Sequence, residues 1–158
     1  MFKYLLIISG LCSGFLASAQ ENYEMKQGLI RFYSEAPQEL IRASSKQLKG
    51  ILDIKKKLFA FKVSNVSFAG FNSPLQQEHF NENYMETELY PESGFKGKII
   101  EDVDLSKDGD YKVRAKGKLI IHGVEHERII DVDIKSRDGK MVVHAEFLVS
   151  LGDHNIKI

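Results

Sequence analysis

Apolar and charged residues alternate in the second half of the chain. Between Tyr111 and Ile121 the odd-numbered positions are apolar or small, and the even-numbered positions from Lys112 to Lys118 are basic. A period of two places successive side chains on opposite faces of a β-strand, and a charged face indicates that the strand is half-buried. Residues 130–135 and 141–151 alternate in the same way. The pattern therefore predicts three long strands, each with one face in water.

Turn-forming residues separate these strands. Asp108-Gly109 and Asp138-Gly139 are suited to the positive φ angles of tight hairpin turns, and Gly123 interrupts the pattern after Ile121. Consecutive strands should therefore be antiparallel neighbours. Less regular strands, with a bend near Ser64-Asn65, are predicted over residues 28–34, 39–44, 58–68 and 95–105.

The predicted fold class is all-β. About eight short antiparallel strands, including one near the N-terminus, are typical of a closed barrel or a sandwich. One segment differs, because Ser73-Pro74-Leu75-Gln76 places Ser at an N-cap, Pro at the first helical position and Gln three residues after the cap. This order predicts a short helix over residues 74–83. In a β chain such a helix would cover one end of the barrel.

The N-terminus has the order of a secretory signal peptide. Lys3 precedes an apolar run over residues 4–16, and Ala17-Ser18-Ala19 follows it. We expect cleavage after Ala19, no membrane anchor, and a single domain over residues 20–158 in the periplasm or outside the cell. The alternative is a retained anchor or a buried core helix. Cys12, the only cysteine, lies in the predicted leader, so the mature chain would have neither a disulfide nor a thiolate.

Charge and motif content argue against several functions. The 22 basic residues balance 22 acidic residues, so the chain offers no electrostatic footprint for nucleic acid. Common metal, phosphate-binding and hydrolase motifs do not occur, and we expect no cofactor and no enzyme activity. His122 and His126 lie four apart, but Gly123 favours two solvated turn histidines over a metal site. His144 should be exposed on its strand.

The basic stripe of Lys112, Arg114, Lys116 and Lys118 suggests an anionic partner or, more simply, an outward strand face. Asp131 and Asp133 should lie on the same face and pair with it across the strands. Abundant carboxylates also leave open a small hydrolase or isomerase with an in-barrel carboxylate or histidine. A structural module with a filled core is a further alternative.

Strand parity predicts which side chains line the barrel. Large groups alternate with small ones such as Ala115, Gly117 and Ala145, so the interior would either be filled by side chains or hold a ligand. Gly117 could equally mark a strand bend. The candidate lining residues are Phe59, Phe61, Val63, Leu75, Phe80, Tyr111, Val113, Ala115, Gly117, Leu119, Ile121, Val143, Ala145, Phe147 and Val149.

Several segments in order resemble the YceI-like family of lipocalin-like, lipid-binding proteins. They are Phe32-Tyr33-Ser34-Glu35-Ala36-Pro37, Leu48-Lys49-Gly50-Ile51-Leu52-Asp53, Phe59-Ala60-Phe61-Lys62-Val63, residues 71–82, Tyr90-Pro91, residues 117–124 and Asp153-His154-Asn155-Ile156-Lys157. The resemblance implies an antiparallel β-barrel whose apolar tunnel holds a polyisoprenoid or similar long-chain amphiphile, such as a fatty-chain lipid, without catalysis. The region around His79-Phe80 resembles the family's helical segment over the barrel mouth.

The resemblance also raises a question about barrel closure. In the family a further strand follows the segment around Asn155, whereas this sequence ends at Ile158. We therefore expect open strand edges, which would favour self-association, for example as a homodimer. Residues 21–25 are an alternative closing segment.

Overall fold

The computed structural model describes residues 21–36 and 39–157, and most of them form antiparallel strands. The predicted leader lies outside the described residues. The strands are β1 (Asn22–Glu24), β2 (Ile30–Ala36), β3 (Glu39–Ser45), β4 (Lys49–Asp53), β5 (Leu58–Ser64), β6 (Glu92–Ile99), β7 (Gly109–Ile121), β8 (Val124–Arg137) and β9 (Lys140–His144). Helix α1 spans Pro74–His79, and short 3₁₀ turns occupy Asn65–Ser67 and Gly152–His154.

Seven strands form one sheet in the order β1-β4-β5-β6-β7-β8-β9, and β2 and β3 form a separate hairpin. Every pairing is antiparallel, as predicted. The hairpin of β2 and β3 meets the rest of the chain through an isolated bridge between Ser44 and Ala69. Together the two sheets make a nearly closed barrel with one short helix, which confirms the predicted fold class. Residues 22–24 pair with β4 and not with β9.

The longest pairing joins β7 to β8 in continuous register from Gly109–Ser136 to Ile121–Val124. Its turn consists of His122 and Gly123, with φ angles of 52° and 69°. Asp138 and Gly139 likewise have positive φ angles in the turn between β8 and β9, as expected for primed hairpin turns. The expectation for Asp108-Gly109 was wrong. Neither residue has a positive φ, and Gly109 begins β7.

The helix begins where the sequence predicted. The Ser73 side chain accepts a hydrogen bond from the Gln76 N–H at 3.1 Å, and the Gln76 side chain accepts one from the Asn72 N–H at 3.0 Å. These contacts satisfy backbone donors that have no partner within the helix. The α-helix ends at His79, four residues early, and continues as a π-helical turn over Phe80–Tyr84.

Three predicted strands are shorter than their sequence patterns. The strand expected over residues 95–105 is β6, which ends at Ile99. Beyond Ile99, the Arg114 N–H of β7 donates a hydrogen bond to the Glu101 carboxylate at 2.6 Å. The carboxylate takes the place of a backbone carbonyl of β6, so the strand pairing does not continue. The strand expected over residues 141–151 ends at His144. Near the expected bend, β5 ends at Ser64 and the Asn65–Ser67 turn follows. Sequence analysis did not assign β4, whose five residues are too few for a clear period.

The outward face of β7 is largely neutralised by ion pairs. Lys112 contacts Asp133 at 3.2 Å, which confirms that predicted pair. Arg114 contacts Glu101 at 2.7 Å, and Asp131, which is opposite Arg114 in the register as predicted, attracts it without an ion-pair contact. Lys116 and Lys118 contact Glu127 and Glu125. The basic stripe is therefore an ordinary solvated strand face, and each of its exposed ion pairs contributes little to the free energy of unfolding.

No helix within the described part of the chain is both long and apolar enough to cross a membrane.

Candidate binding interior

The inward side chains form two apolar clusters. The first, here called the sheet cluster, lies against β4–β8 and contains Leu52, Ile54, Phe59, Ile99, Leu105, Val113, Ala115 and Ile134. The second, the flap cluster, lies beneath the flap, which is the name used here for α1, the π-helical turn and the residues that follow to Glu86. It contains Ala43, Val63, Phe68, Phe80, Met85 and Ile156. Both ends of the barrel interior are thus lined by hydrocarbon.

Four phenylalanines surround the flap side of the interior. Phe32 stacks on Phe80 with ring centroids 5.3 Å apart, and Phe32 meets Phe68 edge to face at 5.4 Å. Phe71 lies 5.1 Å from Phe80. These contacts join β2, the segment after β5 and the helix, so the helix is held to the barrel mainly by aromatic packing.

Most of the predicted lining residues do face inward. Phe59, Val63, Phe80, Val113, Ala115, Gly117 and Leu119 are buried. Phe61 and Tyr111 are partly buried against the sheet cluster, and Ile121 against the flap cluster. Contact of any of these residues with a ligand stays a prediction.

Three predicted lining residues do not face the interior, and a fourth, Val143, faces it without being buried. Leu75 is 59% exposed, because Gln76 and Phe80, four residues apart, form the inward face of the helix. Phe147 is 42% exposed, and Ala145 is also exposed. Val143 lies opposite the buried Ile134 and therefore on the inward face of β9, but it is 38% exposed because β9 is at the edge of the sheet. Val149 is half-buried. Ala145, Phe147 and Val149 follow the end of β9, so no strand pairing directs one face of this segment toward the interior.

The chain after β9 follows β8 without a backbone ladder. The Arg128 guanidinium donates to the Leu148 carbonyl at 2.7 Å and lies 5.8 Å from the Phe147 ring centroid. His126 Nε2 contacts the Asp153 carbonyl at 2.6 Å. Side chains of β8 therefore hold this segment where strand pairing would otherwise continue.

Gly117 is small for a reason other than ligand space. It lies directly opposite Gly97 on β6, and a Cβ atom on either glycine would collide with backbone of the facing strand. This close approach favours the alternative stated above, that Gly117 marks a strand bend.

Parity analysis missed much of the interior. Phe32, Phe68 and Phe71 lie in or beside irregular strands, where no clear period identifies the inward face. Ile130 and Ile134 share the apolar face of β8 and are 3% and 2% exposed. Both alternate with Asp131 and Asp133, and this pattern would have been sufficient to include Ile130 and Ile134 among the predicted lining residues.

No Asp, Glu, Lys or Arg is buried among residues 21–35 and 40–157. The buried polar residues there are Ser45, Asn65, Gln76, His122, Ser136 and His154. In the same described ranges no group of three or more potential metal ligands comes together.

His122 is buried, contrary to the expectation of a solvated turn histidine. Its Nδ1–H donates to the His154 carbonyl at 3.0 Å, and its Nε2 lies 2.6 Å from the Glu86 carboxylate. The Tyr90 ring packs edge to face on it at 4.5 Å. His154, 1% exposed, contacts the carbonyls of Ile121 and Val124. These histidines tie the β7–β8 turn to the flap and to the C-terminal turn.

The other two histidines singled out in the sequence are exposed. His126 lies within β8, outside the turn, and His144 ends β9 as an exposed residue, as expected.

Two buried polar atoms near the flap lack a hydrogen-bond partner within the described chain, Nε2 of Gln76 and Oδ1 of Asn81. Gln76 is 6% exposed and shares the inward helix face with Phe80. A buried amide donor without a partner is unfavourable by about 1–3 kcal/mol. This part of the flap could therefore gain stability from a polar group of a bound molecule or from water.

One carboxylate with a shifted pKa lies outside the barrel. The N–H of Arg114, and next its guanidinium, hold the pKa of Glu101 below its usual value. Glu101, Lys112, Arg114, Asp131, Asp133 and Glu146 contribute to a cleft of about 450 Å³ there. Val113, Val132 and Ala145 also contribute to its lining, so the cleft is bordered by both charged and apolar side chains.

Comparisons with known proteins agree with this geometry. The sequence profile of the YceI-like domain matches residues 31–158. A polyisoprenoid binding domain from Saccharophagus degradans, implicated in plant cell wall breakdown, superposes with a TM-score of 0.67 and 15% identity, covering 83% of this chain and 77% of that one. No curated protein sequence matches the chain.

Two further solved structures share the fold. BcnA of Burkholderia cenocepacia gives a TM-score of 0.53 with 12% identity over 82% of this chain and 69% of the other. The YceI protein of Campylobacter jejuni gives 0.51 with 15% identity over 99% and 85%. Identities this low establish the fold alone. Since the family profile covers most of the sequence, the chain belongs to the YceI-like family.

Proposed function

We propose that this protein binds a polyisoprenoid or a similar long-chain amphiphile between the sheet cluster and the flap cluster, and that it does not catalyse a reaction. The observation that carries the proposal is the interior itself. Its walls are apolar from Val113 to Phe80, and no Asp, Glu, Lys or Arg of the described chain is buried there. Burial of a hydrocarbon chain contributes about 0.8 kcal/mol per methylene, so such a wall can bind a long chain tightly.

The flap supplies the route by which a ligand reaches this interior. The helix and π-helical turn are held by the contacts of Phe80 with Phe32 and Phe71 and by the Glu86–His122 contact, not by a strand ladder. Side-chain contacts of this kind separate more readily than paired strands. The polar end of the ligand would lie beneath the flap, where Gln76 Nε2 has no partner within the described residues. A hydroxyl or other acceptor fits that donor.

We further propose that the protein is exported, because Lys3, the apolar run and Ala17-Ser18-Ala19 have the order of a cleaved signal peptide. A mature N-terminus at Gln20, measured by mass spectrometry of the protein from its own cells, is the expected result. Retention of the intact protein in the cytoplasm would contradict export.

Lipid extraction tests the binding proposal. Organic extracts of the purified protein should contain a long-chain amphiphile by mass spectrometry, and a fluorescent isoprenoid analogue should bind to the delipidated protein. Phe80→Ala should weaken binding of the analogue at least tenfold, whereas the exposed Phe147→Ala should leave it unchanged. If no lipid co-purifies and no analogue binds, the protein is a structural module with a filled core.

Gln76→Leu separates head-group recognition from chain burial. The leucine has a similar size and removes the unpartnered Nε2 donor, together with the Oε1 acceptor of the Asn72 N–H, whose loss affects both ligands alike. Affinity for an isoprenoid alcohol should then fall relative to affinity for the corresponding hydrocarbon. An equal change for both ligands would mean that Gln76 does not contact the polar end.

A further inference from the structure

The outward face of β6 and β7 carries four lysines that face one another. Lys96 pairs in register with Lys118, and Lys98 with Lys116. Like charges directly opposite each other on neighbouring strands destabilise a sheet. Two such pairs side by side therefore call for a compensating negative charge.

The neighbouring strand supplies only half of that compensation. Glu127 contacts Lys116 at 3.5 Å and Glu125 contacts Lys118 at 2.6 Å. Lys96 and Lys98 are exposed and have no carboxylate within ion-pair distance in the described part of the chain. The face keeps a surplus of two positive charges on one strand.

Exposed aliphatic side chains border these lysines. Leu58 on β5 lies beside Lys98 in the register, and Ile129 on β8 lies beside Lys116. Leu58 is 46% exposed, Ile129 is 54% exposed, and Ile100 just after β6 is 42% exposed. A cleft of about 550 Å³ runs across this surface, and Leu58, Ile100 and the four lysines contribute to its lining.

We propose that this lysine face, formed by Lys96, Lys98, Lys116, Lys118, Leu58, Ile100 and Ile129, docks the protein on the surface of an anionic lipid bilayer. Unpaired lysines attract the negative headgroups, and the flanking aliphatic side chains enter the region between headgroups and acyl chains. Lysine stems contribute further apolar surface while their ammonium groups stay in water. A soluble acidic protein would satisfy the lysines but would not account for the exposed Leu58, Ile100 and Ile129.

This inference deepens the proposed function, because a carrier of a long-chain amphiphile must take it from a membrane or deliver it to one. Docking here would leave the flap free, since the lysine face is the outer surface of the sheet and the flap covers the interior.

Vesicle co-sedimentation tests the docking surface. The protein should sediment with phosphatidylcholine vesicles containing phosphatidylglycerol and should stay in solution with vesicles of phosphatidylcholine alone. Lys96→Gln combined with Lys98→Gln should weaken binding roughly thirtyfold, given the usual contribution of each basic residue near an anionic surface. Lys135→Gln combined with Lys140→Gln is the matched control, because both lysines are exposed and without ion pairs in the described chain. It should weaken binding no more than a few-fold.

A second variant tests the aliphatic part. Leu58→Thr combined with Ile129→Thr removes the aliphatic contacts but keeps residues suited to strands. Salt should fully reverse the binding of this variant to anionic vesicles, because only the screened electrostatic attraction is left. Part of the parent protein's binding should persist in salt. Failure of the parent to bind anionic vesicles, or equal loss in the two lysine variants, overturns the proposal. Titration with the isoprenoid analogue in solution, without vesicles, separates this result from the proposed function. If the analogue does not bind but the vesicles do, only the carrier function fails.

Discussion

The hairpin of β7 and β8 and the segment after it, residues 140–157, have similar sequence patterns but different structures. Both alternate apolar and polar residues. In β7 the apolar residues of the alternating pattern are buried, and Val113 and Leu119 are 3% and 5% exposed. In the later segment Val143 and Phe147 stay in contact with water, and strand structure ends at His144.

The difference lies in what each segment meets. β7 has strand partners on both edges, β6 and β8, and a cluster to face. Among the described residues, β9 pairs on one edge only, with β8. Alternation therefore indicates which face of a segment can be buried, whereas burial itself depends on partners from elsewhere in the chain.

The largest effect should come from the glycine pair. Gly117→Ala places a Cβ against the Lys96 carbonyl, and because backbone must move, we expect a loss of about 3 kcal/mol or more in the free energy of unfolding. Gly152→Ala is the matched change in the C-terminal segment. Its nearest atom would be the Ser150 hydroxyl at 3.9 Å, so stability should be nearly unchanged. Denaturant unfolding measures both, and equal effects would show that the two regions are equally constrained.

The next effect compares two valines. Val113→Ala removes two methyl groups from the sheet cluster and should destabilise the protein by about 2 kcal/mol. Val143→Ala, at 38% exposure, should change stability by less than about 0.5 kcal/mol. If both valines contribute equally in thermal unfolding, β9 is packed against the barrel in solution.

Two histidines provide a comparison of polar contacts. His122→Asn tolerates the positive φ of the turn but breaks contacts with Glu86 and the His154 carbonyl, so a loss of about 1–3 kcal/mol is expected. His144→Asn should be neutral, because His144 is exposed and its nearest carboxylate oxygen, on Glu146, is 3.9 Å away. Hydrogen exchange should also quicken in residues 152–157 of the His122 variant alone. Unchanged exchange there would mean that His122 does not hold the C-terminal turn.

The smallest effect is a pH dependence on β7. The folded-state pKa of Glu101 lies below its usual 4.5, because Arg114 donates to the carboxylate. This contribution is fully present above the unfolded-state pKa and is lost as the pH falls through the lowered folded-state pKa. Glu101→Gln should therefore flatten the stability profile between about pH 4.5 and lower values. A profile as steep as the parent's would contradict the assignment, and the change should be small because the pair is exposed.

The sequence identified much of the fold because its signals are local. The alternation in β7 and β8, the Asp138-Gly139 turn and the Ser73 cap each depend on a few adjacent residues. The candidate interior was predicted only in part. Parity placed Phe59, Val63, Val113 and Leu119 correctly, but it could not identify the phenylalanines of irregular segments or the outward turn of Leu75.

By itself, the sequence determined the all-β class and the faces that each regular strand could bury, since these follow from local periodicity and residue type. The family followed from the resemblance of ordered segments and from the match of the family profile. Tertiary structure decided which of those faces are buried. Gly97 and Gly117 meet only because β6 and β7 cross closely, and His122 is buried only because Glu86 and His154 arrive from distant segments. The four lysines likewise become one surface only through the register between β6 and β7. Contacts between residues far apart in sequence depend on how the whole chain closes, which no local pattern encodes.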